Sequence, residues 1–252
     1  MHDLQLSFEP KELEELNDLL ERAFRSGEFE QIYGSLEETI RSLEDTKSQK
    51  AFIAKLAFEE GRCTTDLECL TLQRLSSIKT GVSLRGFFNP LSGVRYPELP
   101  DQKTEHVFIN PVSLDTTSQD IIVDADFGQY VFICWMSLTV GSLSQAISVV
   151  LNHCKSRKQF DREIGSFQLV QENIVKNFLN FLKFRASLIY SLNEVGNSLD
   201  LIKISLKNYL SNFRDTSDLL IQCCGGIGFT EEFGLSVFFR RFLRLLDIID
   251  FE

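Results

Sequence analysis

The sequence predicts an all-α protein in three parts. These are an amino-terminal helical region over 1–80, a short irregular or β connection over 81–125, and a carboxy-terminal helical bundle over 126–252. Two observations predict this division. Apolar residues recur at helical spacing before residue 80 and again after residue 126. Four of the chain's five prolines fall between these regions, where they make helix improbable.

The amino-terminal region is predicted to hold three or four helices. Pro10 stands in the first turn of the first helix, where a missing N–H has no cost, and Gly27 ends that helix. The second, over 29–43, has a wide apolar stripe opposite charged residues. The third runs over 51–61, and the fourth begins at a threonine cap near residue 64 and ends at Gly81.

The connection differs from the regions on either side of it. Besides its prolines it contains short β-like stretches over 107–109 and 121–123. It is therefore either a long irregular connection or a vestigial β segment.

The carboxy-terminal bundle is predicted to contain four long helices. One runs over 127–155, a second begins at Gly165 or Ser166, a third runs over 199–224, and Thr230 caps a fourth that ends near residue 249. Consecutive amphipathic helices joined by short links favour an antiparallel four-helix bundle. The apolar residues expected to face inward from the second helix are Phe167, Val170, Ile174, Phe178, Phe181, Leu182 and Leu188.

Composition and charge exclude several classes of partner. The chain has 26 basic and 36 acidic residues, a net charge of −10, which disfavours binding to nucleic acid and to anionic membranes. The longest apolar run, over 130–150, is interrupted by serine and threonine and is expected to be a core helix, so no membrane partner is predicted. The six cysteines show no metal-ligand spacing, and the first residues do not resemble a signal peptide. A reduced cytoplasmic protein is expected.

Two distant segments of the bundle stand out in the sequence. The first is Arg157-Lys158-Gln159-Phe160, and the second is Gln222-Cys223-Cys224-Gly225-Gly226-Ile227-Gly228. An arginine matches phosphate oxygens bidentately, and paired glycines at a helix junction let backbone N–H groups approach an anion. Each segment alone also has a purely structural interpretation, as a helix-end arginine and as a plain helix stop.

Together the two segments resemble the carboxy-terminal helical domain of the acyl-CoA dehydrogenase family. There, R-x-x-F and Q-x-x-G-G-x-G hold the phosphates and the ADP portion of FAD. The resemblance covers the bundle and implies a bundle of the same type here. The residues that it implies for cofactor binding are Arg157, Gln159, Phe160, Ile164, Phe167, Gln168, Gln222, Gly225 and Gly226.

The resemblance also implies an activity and an assembly. In the family these motifs reach the FAD of a neighbouring subunit, so it implies a homodimer or a hetero-oligomer with a full-length relative. The expected function is that of a subunit in an FAD-dependent complex, which oxidises the thioester of acyl-CoA or of an acylated carrier protein at Cα–Cβ.

The chain departs from the family in two respects. About 43 residues, over 81–123, lie where relatives carry a β-domain that holds the flavin ring. The two positions where the family places its catalytic glutamate are occupied by Ile249 and Val131. The chain is therefore not expected to be active alone, and no catalytic residue is predicted. The alternative is a degenerate paralogue without flavin that serves as a scaffold or regulatory subunit.

Overall fold

The structure is a computed structural model that describes residues 40, 42–43, 46–62, 71, 75, 125–193 and 199–240. Within these residues it is almost entirely helical, which confirms the predicted all-α class. The elements are α1 (Thr46–Arg62), α2 (Ala125–Ser156), β1 (Lys158–Gln159), β2 (Arg162–Glu163), α3 (Gln168–Asn193) and α4 (Leu199–Cys224), with 3-10 turns at Ile164–Ser166 and Gly225–Phe229. A further helix, α5, begins at Leu235, and its described residues are 235–240.

Much of the predicted amino-terminal region lies outside the described residues. α1 confirms the third predicted helix, with a start earlier than expected. The first two predicted helices, most of the fourth, and the connection over 81–124 are not among the described residues, so those expectations stay predictions.

α2 is the central helix of the molecule. Every residue over 129–144 is buried, because α1 packs on one side of it and α3 and α4 on the other. Its last turn carries Lys155, whose positive charge suits the carboxyl end of a helix. The predicted span of 127–155 is therefore confirmed within two residues.

By length and composition alone, Gln129–Ser156 could cross a membrane. Its most apolar window has a mean hydropathy of 1.5. The serine and threonine hydroxyls interrupt the run less than expected, since they can bond within the helix, as Thr139 does to the Trp135 carbonyl. Protein buries 83% of this window, as in the core helix of a soluble protein.

α1 and α2 cross at two glycines that bring their backbones into contact. A Cβ on Gly61 would lie 2.0 Å from the Leu138 carbonyl oxygen, and one on Gly141 would lie 2.0 Å from the Phe58 carbonyl oxygen. The Ser142 hydroxyl donates a 2.9 Å hydrogen bond to the Gly61 carbonyl. The crossing therefore admits no side chain at either glycine.

Charged residues of α1 are buried with partners. Lys55 and Arg62 each approach a carboxylate oxygen of Glu59 at 3.2 Å. Glu60 accepts hydrogen bonds from the Thr71 backbone N–H and hydroxyl, at 3.0 and 2.6 Å. Pairing offsets the large desolvation cost of burying these charges.

α2, α3 and α4 pack as an antiparallel set. Asn180 of α3 donates to the Thr216 hydroxyl of α4 at 3.0 Å near the middle of the pair. Of the residues expected to face inward from α3, Phe181 and Leu188 are buried and the others pack partly buried against the same core. The predicted bundle is confirmed for three long helices. Of the fourth, only 235–240 is among the described residues.

Two predicted helix starts are wrong. Gly165 and Ser166 lie in a 3-10 turn, and α3 begins at Gln168. Thr230 caps the preceding 3-10 turn, donating its hydroxyl to the Ile227 carbonyl at 2.9 Å. The next helix begins five residues later, after Gly234, because Gly234 has a φ of 78° and interrupts the helix pattern.

Candidate cofactor-binding site

The first motif forms a small β-hairpin directly after α2. The Arg157 N–H donates to the His153 carbonyl at 2.8 Å and closes the helix, while the Arg157 carbonyl accepts from the Ile164 N–H at 2.9 Å. Between them Lys158 pairs with Glu163, and Gln159 with Arg162. Because Ile164 is buried, it anchors the hairpin on the bundle.

The turn of this hairpin holds two residues in the left-handed region. Phe160 has a φ of 52° and Asp161 a φ of 58°. A two-residue turn of this type normally carries Asn-Gly or Asp-Gly, since other side chains are strained there. The Phe160 side chain is also 88% exposed. Backbone strain of this kind concentrates at functional sites, and here it falls on a motif residue.

Aromatic rings and an arginine pack at the base of the turn. The Phe160 and Phe167 rings meet edge to face, with centroids 6.4 Å apart. The Arg162 guanidinium lies 4.1 Å from the centroid of the Phe167 ring. Gln168 then opens α3, and its side-chain amide donates to Glu172 at 3.0 Å.

The second motif ends α4 and turns the chain at its glycines. Gly225 has a φ of 63°, and a Cβ added to Gly225 or Gly226 would meet no atom within 4 Å. Gln222 is exposed one turn earlier. Gly228 differs, because its Cβ would lie 3.1 Å from that of Cys224, so the third glycine serves packing.

The two motifs lie at the same end of the bundle. The Cys154 thiol, three residues before Arg157, reaches the Cys223 carbonyl at 4.0 Å. The Cys223 thiol in turn points to the Val170 carbonyl near the start of α3, at 3.9 Å. Beyond the glycines, the Phe233 ring meets the His153 ring with centroids 5.1 Å apart. Segments 65 residues apart in sequence are thus brought together as the antiparallel packing requires.

The electrostatics of this end favour an anion. Neither Arg157 nor Arg162 forms an ion pair in the part of the chain that the structure describes. Burial, and then the charge of Arg157, lowers the pKa of His153. Burial raises the pKa of the Cys154 thiol, that of Cys223 to about 11 and that of Cys224 to about 12. The thiols therefore stay neutral and add no negative charge beside the arginines.

A family model for the acyl-CoA dehydrogenase C-terminal domain matches residues 132–249, which include both motifs. This segment is of the acyl-CoA dehydrogenase C-terminal domain type. The chain is also 30% identical over 104 residues to the mitochondrial isovaleryl-CoA dehydrogenase of Solanum tuberosum, a match that covers 40% of this chain and 25% of that protein. The chain thus spans about a quarter of the length of that curated relative. No solved structure matches it significantly.

The exposed motif residues fit the ADP portion of the FAD that acyl-CoA dehydrogenases use. Arg157 offers a guanidinium with no acidic partner among the described residues. The backbone at Gly225 and Gly226 is open, with free space where a Cβ would otherwise stand. Phe160 offers an exposed aromatic ring. Gln159, Gln168 and Gln222 are exposed, Phe167 is partly buried, and Ile164 lies in the core. Sequence reasoning missed Arg162, which only the hairpin register places beside the motif.

One of the two family positions for the catalytic glutamate lies in the core. Val131 is 0% exposed, and its neighbour Phe132 is 2% exposed. A carboxylate at Val131 would be buried against apolar α2 contacts, at a high desolvation cost. The other position, Ile249, lies outside the described residues.

We expect the two motif glycines to respond differently to alanine. Gly225→Ala should lower the free energy of unfolding by about 1–2 kcal/mol, because the left-handed conformation strains any Cβ. Gly226→Ala should change it by less than about 0.5 kcal/mol, since the new methyl group meets nothing. Urea unfolding followed by circular dichroism measures both, and equal losses would contradict the difference in φ.

Phe160→Asn should leave the fold at least as stable as wild type. Asparagine tolerates the left-handed region, and the exposed ring contributes little burial. The same change should weaken ADP binding, because it removes the ring offered to the adenine. Thermal unfolding and calorimetric titration with ADP provide the two measurements. A marked loss of stability would show that the Phe160–Phe167 contact outweighs the strain.

Proposed function

We propose that this bundle binds the ADP portion of FAD as part of an FAD-dependent complex that oxidises an acyl thioester at Cα–Cβ. The observation that carries the proposal is the placement of the exposed Arg157 and the open Gly225-Gly226 turn at the same end of the bundle. FAD, when bound, would accept the hydride from Cβ. This chain's own part is to hold and orient the cofactor through its phosphates.

Arg157 and the glycine turn would act together on the pyrophosphate. The guanidinium provides a charged fork for phosphate oxygens, and the turn provides backbone N–H groups that no side chain obstructs. Phe160, exposed at the tip of the hairpin, would cover an aromatic face of the cofactor. These groups all reach outward, away from the core.

The remainder of the active site would come from a partner chain. Val131, at a position of the catalytic base, is apolar and buried, and the motif surface carries exposed apolar side chains that suit a protein contact. They are Phe160, Leu169 and Phe229, which are 88%, 67% and 72% exposed. We propose a homodimer, or a hetero-oligomer with a full-length relative, that acts on acyl-CoA or an acylated carrier protein in a reducing, cytoplasmic setting.

The buried Val131 favours a second candidate, a non-catalytic scaffold or regulatory subunit without flavin. Flavin absorbance of the purified chain, followed by calorimetric titration with FAD and ADP, distinguishes the two. Binding of ADP and FAD supports the proposed function, whereas failure to bind either supports the scaffold.

The isolated chain should not reduce dye with acyl-CoA. Loss of a general base alone costs about 10²–10⁴-fold in rate. Dye reduction should appear only when a full-length relative is added and co-elutes with this chain. Robust turnover by the chain alone would show that a carboxylate elsewhere in it serves as the base.

A further inference from the structure

The hairpin carries a second arginine that the recognised motifs do not include. Arg162 lies on β2 directly opposite Gln159, and Arg157 stands opposite Ile164. Residues opposite each other in an antiparallel pair, and residues two apart on a strand, share a face. The register therefore places the exposed side chains of Arg157, Gln159 and Arg162 on the same face as the buried Ile164, and Lys158 with Glu163 on the other.

The shared face leaves two guanidiniums without an acidic partner in the described residues. Glu163, the nearest acid on β2, pairs in register with Lys158 on the opposite face. Two cations on one face of a short hairpin repel each other, and a bound anion with two phosphates would relieve this repulsion. A single phosphate contact would need only one of them.

Arg162 is also held in place before any ligand binds. Its guanidinium lies over the Phe167 ring at 4.1 Å, and Phe167 packs partly buried at the junction with α3. An arginine stacked on an aromatic ring keeps N–H groups available for in-plane hydrogen bonds. Because its rotamer is already restricted in the free protein, ligand binding costs less side-chain conformational entropy.

Resting on the proposed function, we propose that Arg162 is a second phosphate-binding residue, paired with Arg157 on one hairpin face to hold the diphosphate of an ADP moiety. FAD and CoA both contain this moiety. Arg157 and Arg162 would each engage one phosphate, and Gly225-Gly226 would approach from the end of α4. The strained Phe160-Asp161 turn keeps the two strands in the register that this requires.

Calorimetric titration of the full chain with ADP, FAD and CoA tests the proposal. Arg162→Gln should weaken ADP binding roughly 10-fold or more, as expected for loss of a charge-assisted hydrogen bond. Arg162→Lys should recover only part of the loss, since lysine keeps the charge without the planar fork. Lys158→Gln is the matched control on the other face and should bind within about twofold of wild type. Circular dichroism confirms that these exposed variants fold.

The outcomes distinguish the role of Arg162 from the proposed cofactor binding as a whole. If Arg157→Gln weakens binding while Arg162→Gln binds as wild type, Arg162 only packs on Phe167 and this inference is wrong, although the cofactor site stands. If the wild-type chain binds none of the three ligands, both this inference and the proposed function are wrong. Weakening of ADP together with FAD, or of ADP together with CoA, supports the proposal and identifies the ligand that supplies the diphosphate, whereas weakening of FAD or CoA without ADP would contradict it.

Discussion

Gly141→Ala should destabilise the protein by about 3 kcal/mol, although alanine normally stabilises a helix relative to glycine by about 1 kcal/mol. The sign is reversed because the new methyl group would lie 2.0 Å from the Phe58 carbonyl oxygen. Backbone cannot yield as a flexible side chain does, so α1 must move away from α2. Chemical unfolding followed by the fluorescence of Trp135, the chain's only tryptophan and fully buried, measures the loss.

The matched variants for this crossing are Gly61→Ala and Gly226→Ala. The first should be as damaging as Gly141→Ala, because its methyl group meets the Leu138 carbonyl at the same distance. The second should leave the midpoint of unfolding unchanged. A stable Gly141→Ala protein would mean that the two helices can separate at little cost.

Arg157→Ala should weaken the binding of ADP and FAD by about 1.5–3 kcal/mol, roughly 10- to 150-fold, since it removes a charge-assisted contact to phosphate. The side chain is exposed and forms no ion pair among the described residues, so the free energy of unfolding should change little. Titration calorimetry at low salt measures the affinity. Raising the salt concentration should reduce the difference in affinity between the variant and the wild type.

Lys155→Ala is the control for Arg157→Ala. It removes an equally exposed positive charge from the last turn of α2, outside both motifs. A general electrostatic attraction would be weakened alike by both changes, whereas a specific phosphate contact is lost only with Arg157. Equal effects would contradict the assignment of Arg157.

The long helices were predictable because their signals are local. The predicted span of α4, 199–224, equals the observed one, since an apolar repeat ends at a glycine pair. The hairpin was not predictable, because its turn is Phe160-Asp161 and contains no glycine to indicate left-handed backbone. The role of Gly141 was hidden for another reason: it depends on Phe58, 83 residues earlier in the sequence.

The motif residues were predictable by type, but their arrangement was not. Arg157 and the Gly225-Gly226 pair could be recognised from spacing, whereas only the antiparallel packing brings them to one end. Arg162 has no distinguishing spacing in the sequence, and its relation to Phe167 follows from strand register. The position of Val131 in the core likewise depends on α1, which packs against α2 from far away in the sequence.

The buried thiols beneath the motifs make it possible to measure how often this end of the molecule opens. Cys154, Cys223 and Cys224 are all less than 9% exposed, and their raised pKa values keep them in the unreactive protonated form. An alkylating reagent can modify them only while the ends of α2 and α4 separate, so the rate at which these three cysteines are labelled, followed by peptide mass, counts those openings. A ligand that contacts both Arg157 and the glycine turn would slow that labelling. The measurement therefore detects binding without flavin absorbance or enzymatic turnover.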